Sequence, residues 1–150
     1  MECEMEFEAR TYDVDFAGVV SNIVYHRWLE DLRLSVLAQA MPVTAMVEAG
    51  LVPTLAQTLI DFRAPLRLGE KARGRQAVTG AGSSSFILES ELRRVPDGQL
   101  IAVARHTAVL VDAASGRPVP LPDALRGLVT APSFEVRLRG VDGAARGATT

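Results

Sequence analysis

Two aspartates, Asp13 and Asp15, stand just ahead of Gly18, Val19 and Val20 in the stretch TYDVDFAGVVSNIVYHRWLEDLR, Thr11 to Arg33. A carboxylate in such a place can attack an electrophilic carbon or take a proton from water. Either role needs the carboxylate to tolerate partial burial, which is costly unless donors face it. Donors are near, because Asn22 can serve as the N-cap of the helix that follows and a helix start carries unpaired N–H groups and the positive end of the dipole. The structural alternatives are helix capping for Asp15 and the satisfaction of loop amides for Asp13.

Other polar groups offer less. His26 has Glu30 four residues on, which reads as a solvated i,i+4 pair. His106, in AVARHTAVLV, shares a strand face with Ala104 and Ala108 and reads as a structural histidine. Trp28 and Tyr25 recur at helical spacing, Trp28 as core. TGAGSSSF lacks the lysine and following helix of a nucleotide loop, and Ser83, Ser84 and Ser85 do not fall in a serine-hydrolase elbow. His26, His106 and Cys3 have no metal-ligand spacing, so no metal and no cofactor are expected.

The elements that must position these groups follow from periodicity. In EMEFEART the apolar Met5, Phe7 and Ala9 alternate with charge, the pattern of a half-buried strand. Val24, Trp28, Leu29, Leu32 and Val36 then predict one long helix over roughly 22–39. Pro42 opens a short second helix that Gly50 ends. Four strands follow between Leu51 and Asp112, with PDG marking a hairpin, which together suggest an antiparallel meander. DALRGL adds a helical turn, SFEVRLRG alternates enough for a final strand, and VDGAARGATT reads as a disordered tail. The division expected is one domain over 1–129, then a C-terminal strand and tail over 130–150.

The 150 residues, 48% hydrophobic, are enough for one core without staples. A net charge of −2 gives no long-range pull toward nucleic acid or anionic membrane. Cys3, the single cysteine, excludes an internal disulfide, and MECEMEFEAR is unlike a signal peptide. The expected setting is the cytoplasm, with no membrane and no nucleic-acid partner. An antiparallel sheet wrapped on one helix is an α+β arrangement whose other apolar surface suggests a homodimer at least.

YDVDFAGVVSNIVYHRWLEDLR resembles the signature of hotdog-fold acyl-CoA thioesterases of the 4-hydroxybenzoyl-CoA thioesterase type, and DFRAPLRLGEK resembles that family's next strand and turn. The resemblance implies an antiparallel curled sheet wrapped around one long central helix, a homodimer with a continuous sheet or a homotetramer as a dimer of dimers, and active sites between subunits. It places the catalytic carboxylate on Asp15, with Asp13 as the other acid. The oxyanion and substrate-binding positions fall on the turn of Gly18 and Val19 and on the helix start at Asn22; Tyr25, on the helix beyond the turn, is a candidate for lining an acyl pocket, with core packing as its alternative. Arg63, Arg67, Arg73 and Arg75 are the candidate contacts to CoA phosphates or an acidic carrier protein. The family's strand-borne basic cluster has no counterpart in GAGSSSF.

A thioester is an activated acyl group, so an oriented carboxylate and an oxyanion site suffice to hydrolyse it. The expected activity is therefore that of a thioester hydrolase acting on a small acyl-CoA or aromatic acyl-CoA. The rivals are an acyl-carrier-protein thioesterase of a biosynthetic pathway and a non-catalytic acyl-CoA-binding module. A hotdog dehydratase is disfavoured by the lack of a histidine placed with a glutamate.

Overall fold

The computed structural model describes residues 2–142. Strand β1, Cys3–Glu8, alternates as its sequence requires, turning Cys3, Met5 and Phe7 inward and Glu4 and Glu6 to solvent. Helix α1, Asn22–Ala38, buries Val24, Tyr25, Trp28, Leu29, Leu32, Val36 and Leu37. The helix expected to be long is 17 residues. That is about 25 Å, short beside the longest strand of the sheet, which has 13 residues. Its N-cap is Ser21 rather than Asn22, which is the first helical residue, and no side chain caps the start. Helix α2, Val43–Glu48, ends ahead of Gly50, whose φ of 72° suits only glycine.

Four strands follow: β2 Leu51–Phe62, β3 Lys71–Ala81, β4 Ser85–Val95 and β5 Leu100–Asp112. All neighbours pair antiparallel in the order β1-β3-β4-β5-β2. The expected meander thus holds only for β3, β4 and β5. β2 crosses to the far edge because residues 63–70 run across the end of the sheet. The N–H groups of Arg63 and Ala64 donate to Ile101 O, Val20 N–H donates to Leu66 O, and Gly69 N–H donates to Ala9 O.

The core lies between α1 and the concave face. Phe7 stacks on Trp28 with ring centroids 5.1 Å apart. Gly74 lets helix and sheet approach closely, since a Cβ there would sit 2.7 Å from Leu32 Cδ1 and 2.9 Å from Leu92 Cδ2. Three polar side chains share that face: Gln76 Nε2 donates to Ser90 Oγ at 2.7 Å, and His106 is buried beyond them, on the face of Ala104 and Ala108 as expected.

Helix α3, Asp123–Arg126, is the single turn read from DALRGL. The strand expected in SFEVRLRG does not form. Its alternation is real, but Phe134, Val136 and Leu138 pack on Leu59, Leu100 and Val103 across the convex face of the sheet instead of pairing at an edge. Side chains take up its backbone groups: Arg139 N–H donates to Asp61 Oδ2 at 2.6 Å and Arg63 Nη2 donates to Arg137 O at 2.6 Å. The tail expected beyond Asp142 lies outside the described residues. Among the described residues no helix is long and apolar enough to cross a membrane.

Candidate active site

Residues 10–21 form two nested turns. The outer one is closed by Asp13, a buried residue whose Oδ2 accepts Arg10 N–H at 2.9 Å and whose carbonyl accepts Ser21 N–H at 2.9 Å. Its carboxylate is thereby spent on the loop, the structural alternative anticipated for it. The inner turn is a small hairpin in which Val14 bridges Val20. Asp15 N–H donates to Val19 O at 2.9 Å, Gly18 N–H donates to Asp15 O at 3.0 Å, and Asp15 Oδ1 accepts Ala17 N–H at 2.8 Å. Gly18 closes it at φ 77°, the left-handed conformation that favours glycine.

This geometry corrects one expectation. Asp15 is not buried against the helix start: its hydrogen bonds stay within its own turn, and the hairpin presents it to solvent. The adjoining Phe16 is fully exposed at 104%. The physical reason is the tightness of the 15–18 turn, which points its tip away from the core that Val20 enters.

Behind the hairpin a cavity of about 280 Å³ opens at the start of α1. Val19, Asn22, Tyr25 and Arg63 line it together with Phe62. Four residues singled out in the sequence are therefore brought to one place. No side chain caps the first turn of α1, so its leading N–H groups are without side-chain acceptors among the described residues. Tyr25 contacts Trp28 edge-on and Phe62 at a tilt, both with centroids 5.7 Å apart. Burial pushes its phenol up to about 12, with Glu70 adding to the effect and a Leu66 backbone hydrogen bond opposing it. It stays protonated and can act as a donor. Phe62 was read only as part of a strand; its position immediately before the crossing segment was the signal that it could meet the helix start.

The remaining arginines do not converge there. Arg67 is exposed, its N–H donating to Glu70 Oε1 at 2.7 Å. Arg73 and Arg75 lie on the convex face and pair with Glu4 of β1 at 3.3 and 3.4 Å. They line a separate hollow of about 90 Å³ with Arg93 and Arg94. Glu30 pairs with Arg33 at 3.5 Å, which corrects the expected His26–Glu30 pair. His106 faces α1 with Nδ1 unpartnered, and burial, reinforced by Arg33 and His26, pushes its imidazole down to about 4. It is neutral at ordinary pH. Among the described residues no group of His, Cys, Asp and Glu could hold a metal ion.

A carboxylate-bearing hairpin thus adjoins a cavity at an uncapped helix start, and a buried phenol lines that cavity. Residues 9–129 match the family model described as the thioesterase-like superfamily. A chloroplastic acyl-acyl carrier protein thioesterase of Arabidopsis thaliana is 26% identical over 124 residues, 82% of this chain. The chain spans 65% of that relative's length. Among solved structures, a 1,4-dihydroxy-2-naphthoyl-CoA thioesterase from Synechocystis superposes with a TM-score of 0.79 at 22% identity, covering 86% of this chain and 96% of that one. A mutant 4-hydroxybenzoyl-CoA thioesterase, in complex with 4-hydroxybenzoyl-CoA, gives 0.77 at 20% identity, covering 85% and 98%. The fold they share with this chain is the hotdog: an antiparallel sheet curled on one helix.

Proposed function

The chain belongs to the thioesterase-like superfamily, and from that premise we propose that it is a thioester hydrolase that cleaves a small aliphatic or aromatic acyl-CoA to the free acid and CoA, with Asp15 as its working carboxylate. One observation carries the assignment of the site. Val19, which accepts the Asp15 N–H at 2.9 Å, is also a wall of the cavity at the start of α1. The carboxylate-bearing turn and the acyl cavity are thus parts of one unit.

In the reaction the thioester carbonyl lies at the first turn of α1, near Asn22, and the free N–H groups donate hydrogen bonds to the oxygen on which charge develops. Asp15 either attacks the carbonyl carbon, forming an anhydride that water then opens, or takes a proton from the attacking water. In both routes the C–S bond breaks, the thiol leaves with a proton, and the acyl group departs as a carboxylate. Tyr25 lines the space for the acyl group.

A second copy completes the site in this reading. β2 is an edge strand of 12 residues, and a long open edge is a ready surface for pairing. Antiparallel pairing of two β2 edges would give a homodimer with one continuous sheet, the unit from which a homotetramer could be built, and would bring a neighbour toward the exposed Asp15 and Phe16.

A second reading, an acyl-carrier-protein thioesterase, is favoured by the carrier-protein thioesterase among the relatives. Thiol release from CoA and carrier-protein thioesters of the same acyl group tests both. Turnover of CoA esters is the expected result, preference for the carrier would select the second reading, and no turnover of either would overturn the first and second together.

A further inference from the structure

The segment that lies across the convex face encloses a cavity of about 420 Å³, larger than the one at the helix start. Arg63, Arg105, Arg137 and Arg139 line it, against the two carboxylates of Glu135 and Asp142. Arg63 lines both cavities. It stands where β2 ends, and its guanidinium is held by Asp61 Oδ2 at 3.1 Å and by Arg137 O at 2.6 Å, with Nε buried and unpartnered. A ligand that reaches from the helix start into the larger cavity must pass it.

We propose that this cavity binds a phosphate borne on the pantetheine handle of the thioester, chiefly through Arg137 and Arg139. The inference rests on the thioesterase reading of the preceding subsection. Three features support it. The guanidinium of Arg139 is exposed and has no ion pair or hydrogen bond among the described residues; only its backbone is tied down, to Asp61. Arg137 pairs with Glu135 at 2.8 Å, but both side chains are more than half exposed, and solvent leaves such a pair with little net attraction. Either guanidinium can therefore turn to a better acceptor, and its planar fork of donors fits phosphate oxygens two at a time.

Arg105 has a different part. Glu89 at 2.9 Å and Asp142 at 3.1 Å hold it in place and neutralise it, so it forms a fixed wall of the cavity and leaves the anion to Arg137 and Arg139. The Asp142 carboxylate also accepts Leu138 N–H at 2.8 Å, which shapes the segment over the cavity. The site is thus a built rim of arginines whose position depends on the C-terminal segment, and the acyl end of the same ligand would lie beside Tyr25 and Asn22.

The handle carries phosphate in two forms, CoA and the phosphopantetheine of a carrier protein, and the test separates them. Binding of CoA, of unphosphorylated pantetheine and of a phosphopantetheine-loaded carrier is measured by calorimetry on the whole chain and on its Arg137→Gln and Arg139→Gln variants, with the exposed Arg117→Gln as reference. Both positions are solvent-facing, and circular dichroism checks that the fold is kept. The expected result is roughly tenfold weaker CoA binding in each cavity variant, with pantetheine unchanged and a matching rise in KM for the acyl-CoA at constant kcat. Loss confined to the loaded carrier would assign the site to carrier-borne phosphate. Equal CoA and carrier affinities in all variants, or an equal loss for pantetheine, would overturn the proposal. Binding is read without turnover: hydrolysis that persists with arginine-independent binding removes this inference alone, while arginine-dependent CoA binding without hydrolysis removes the thioesterase reading.

Discussion

The Asp15 N–H and the Val19 carbonyl, 2.9 Å apart, close the hairpin that ties the site together. On one side of that bond the carboxylate meets solvent; on the other, Val19 walls the cavity into which α1 points its first turn. Val20, the next residue, is buried and bonds Leu66 through its N–H at 2.7 Å. The loop is thereby clamped to the sheet crossing, as the role proposed for Asp15 requires.

Tyr25 provides the first prediction. Tyr25→Ala removes a ring packed on Trp28 and Phe62 and enlarges the cavity, so stability should fall by about 3 kcal/mol, in the range of large-to-small core changes. Tyr25→Phe keeps both ring contacts and loses only the hydroxyl, at about 1 kcal/mol. Urea denaturation of the two variants checks the difference, and KM for the best acyl-CoA should rise more in Tyr25→Ala than in Tyr25→Phe.

His106 sets an acid limit. Its imidazole sits at about 4 in the fold against 6.5 as the ordinary value, so the folded state favours the neutral form. That stability is complete above pH 6.5 and is lost as pH falls from there toward 4. Between pH 7.5 and pH 5 the loss from this group alone is about 2 kcal/mol. Denaturation midpoints at the two pH values should lie further apart in the wild type than in His106→Gln, which cannot take up the proton.

The open β2 edge predicts association. Sedimentation equilibrium at micromolar protein should give at least twice the 16.1 kDa chain mass. A monomer at the concentrations where activity is measured would contradict a site completed by a second copy.

The fold was legible wherever one residue pattern had one solution. The 3.6-residue spacing of Val24, Leu29, Leu32 and Val36 can only be a helix laid on an apolar face, and PDG with its glycine can only be a tight turn between strands. Strand order was not legible, because β2 reads the same whether it pairs with β3 or with β5; the eight-residue crossing, tied to Ile101 and Val20, decides it. SFEVRLRG illustrates a further limit. Alternation reports that one side is buried, and it is equally satisfied by a strand in the sheet and by an extended segment lying on its face.

The site was legible in part for a similar reason. Val19, Asn22 and Tyr25 are local to the start of α1, so sequence spacing alone brings them near one another. Phe62 and Arg63 arrive through the sheet crossing, which no local pattern encodes. The exposure of Asp15 is a property of turn geometry: a carboxylate that accepts Ala17 N–H within its own turn has its donor nearby and does not need the helix.

The most direct test of the central claim is kcat for thiol release from the best acyl-CoA, measured on wild type and Asp15→Asn. Among the described residues Asp15 makes hydrogen bonds only within its own turn, so circular dichroism and oligomeric mass should be unchanged in the variant. The account predicts a fall in kcat of about 100-fold or more, the scale expected for loss of a general base or nucleophile. A variant that turns over at the wild-type rate would contradict it.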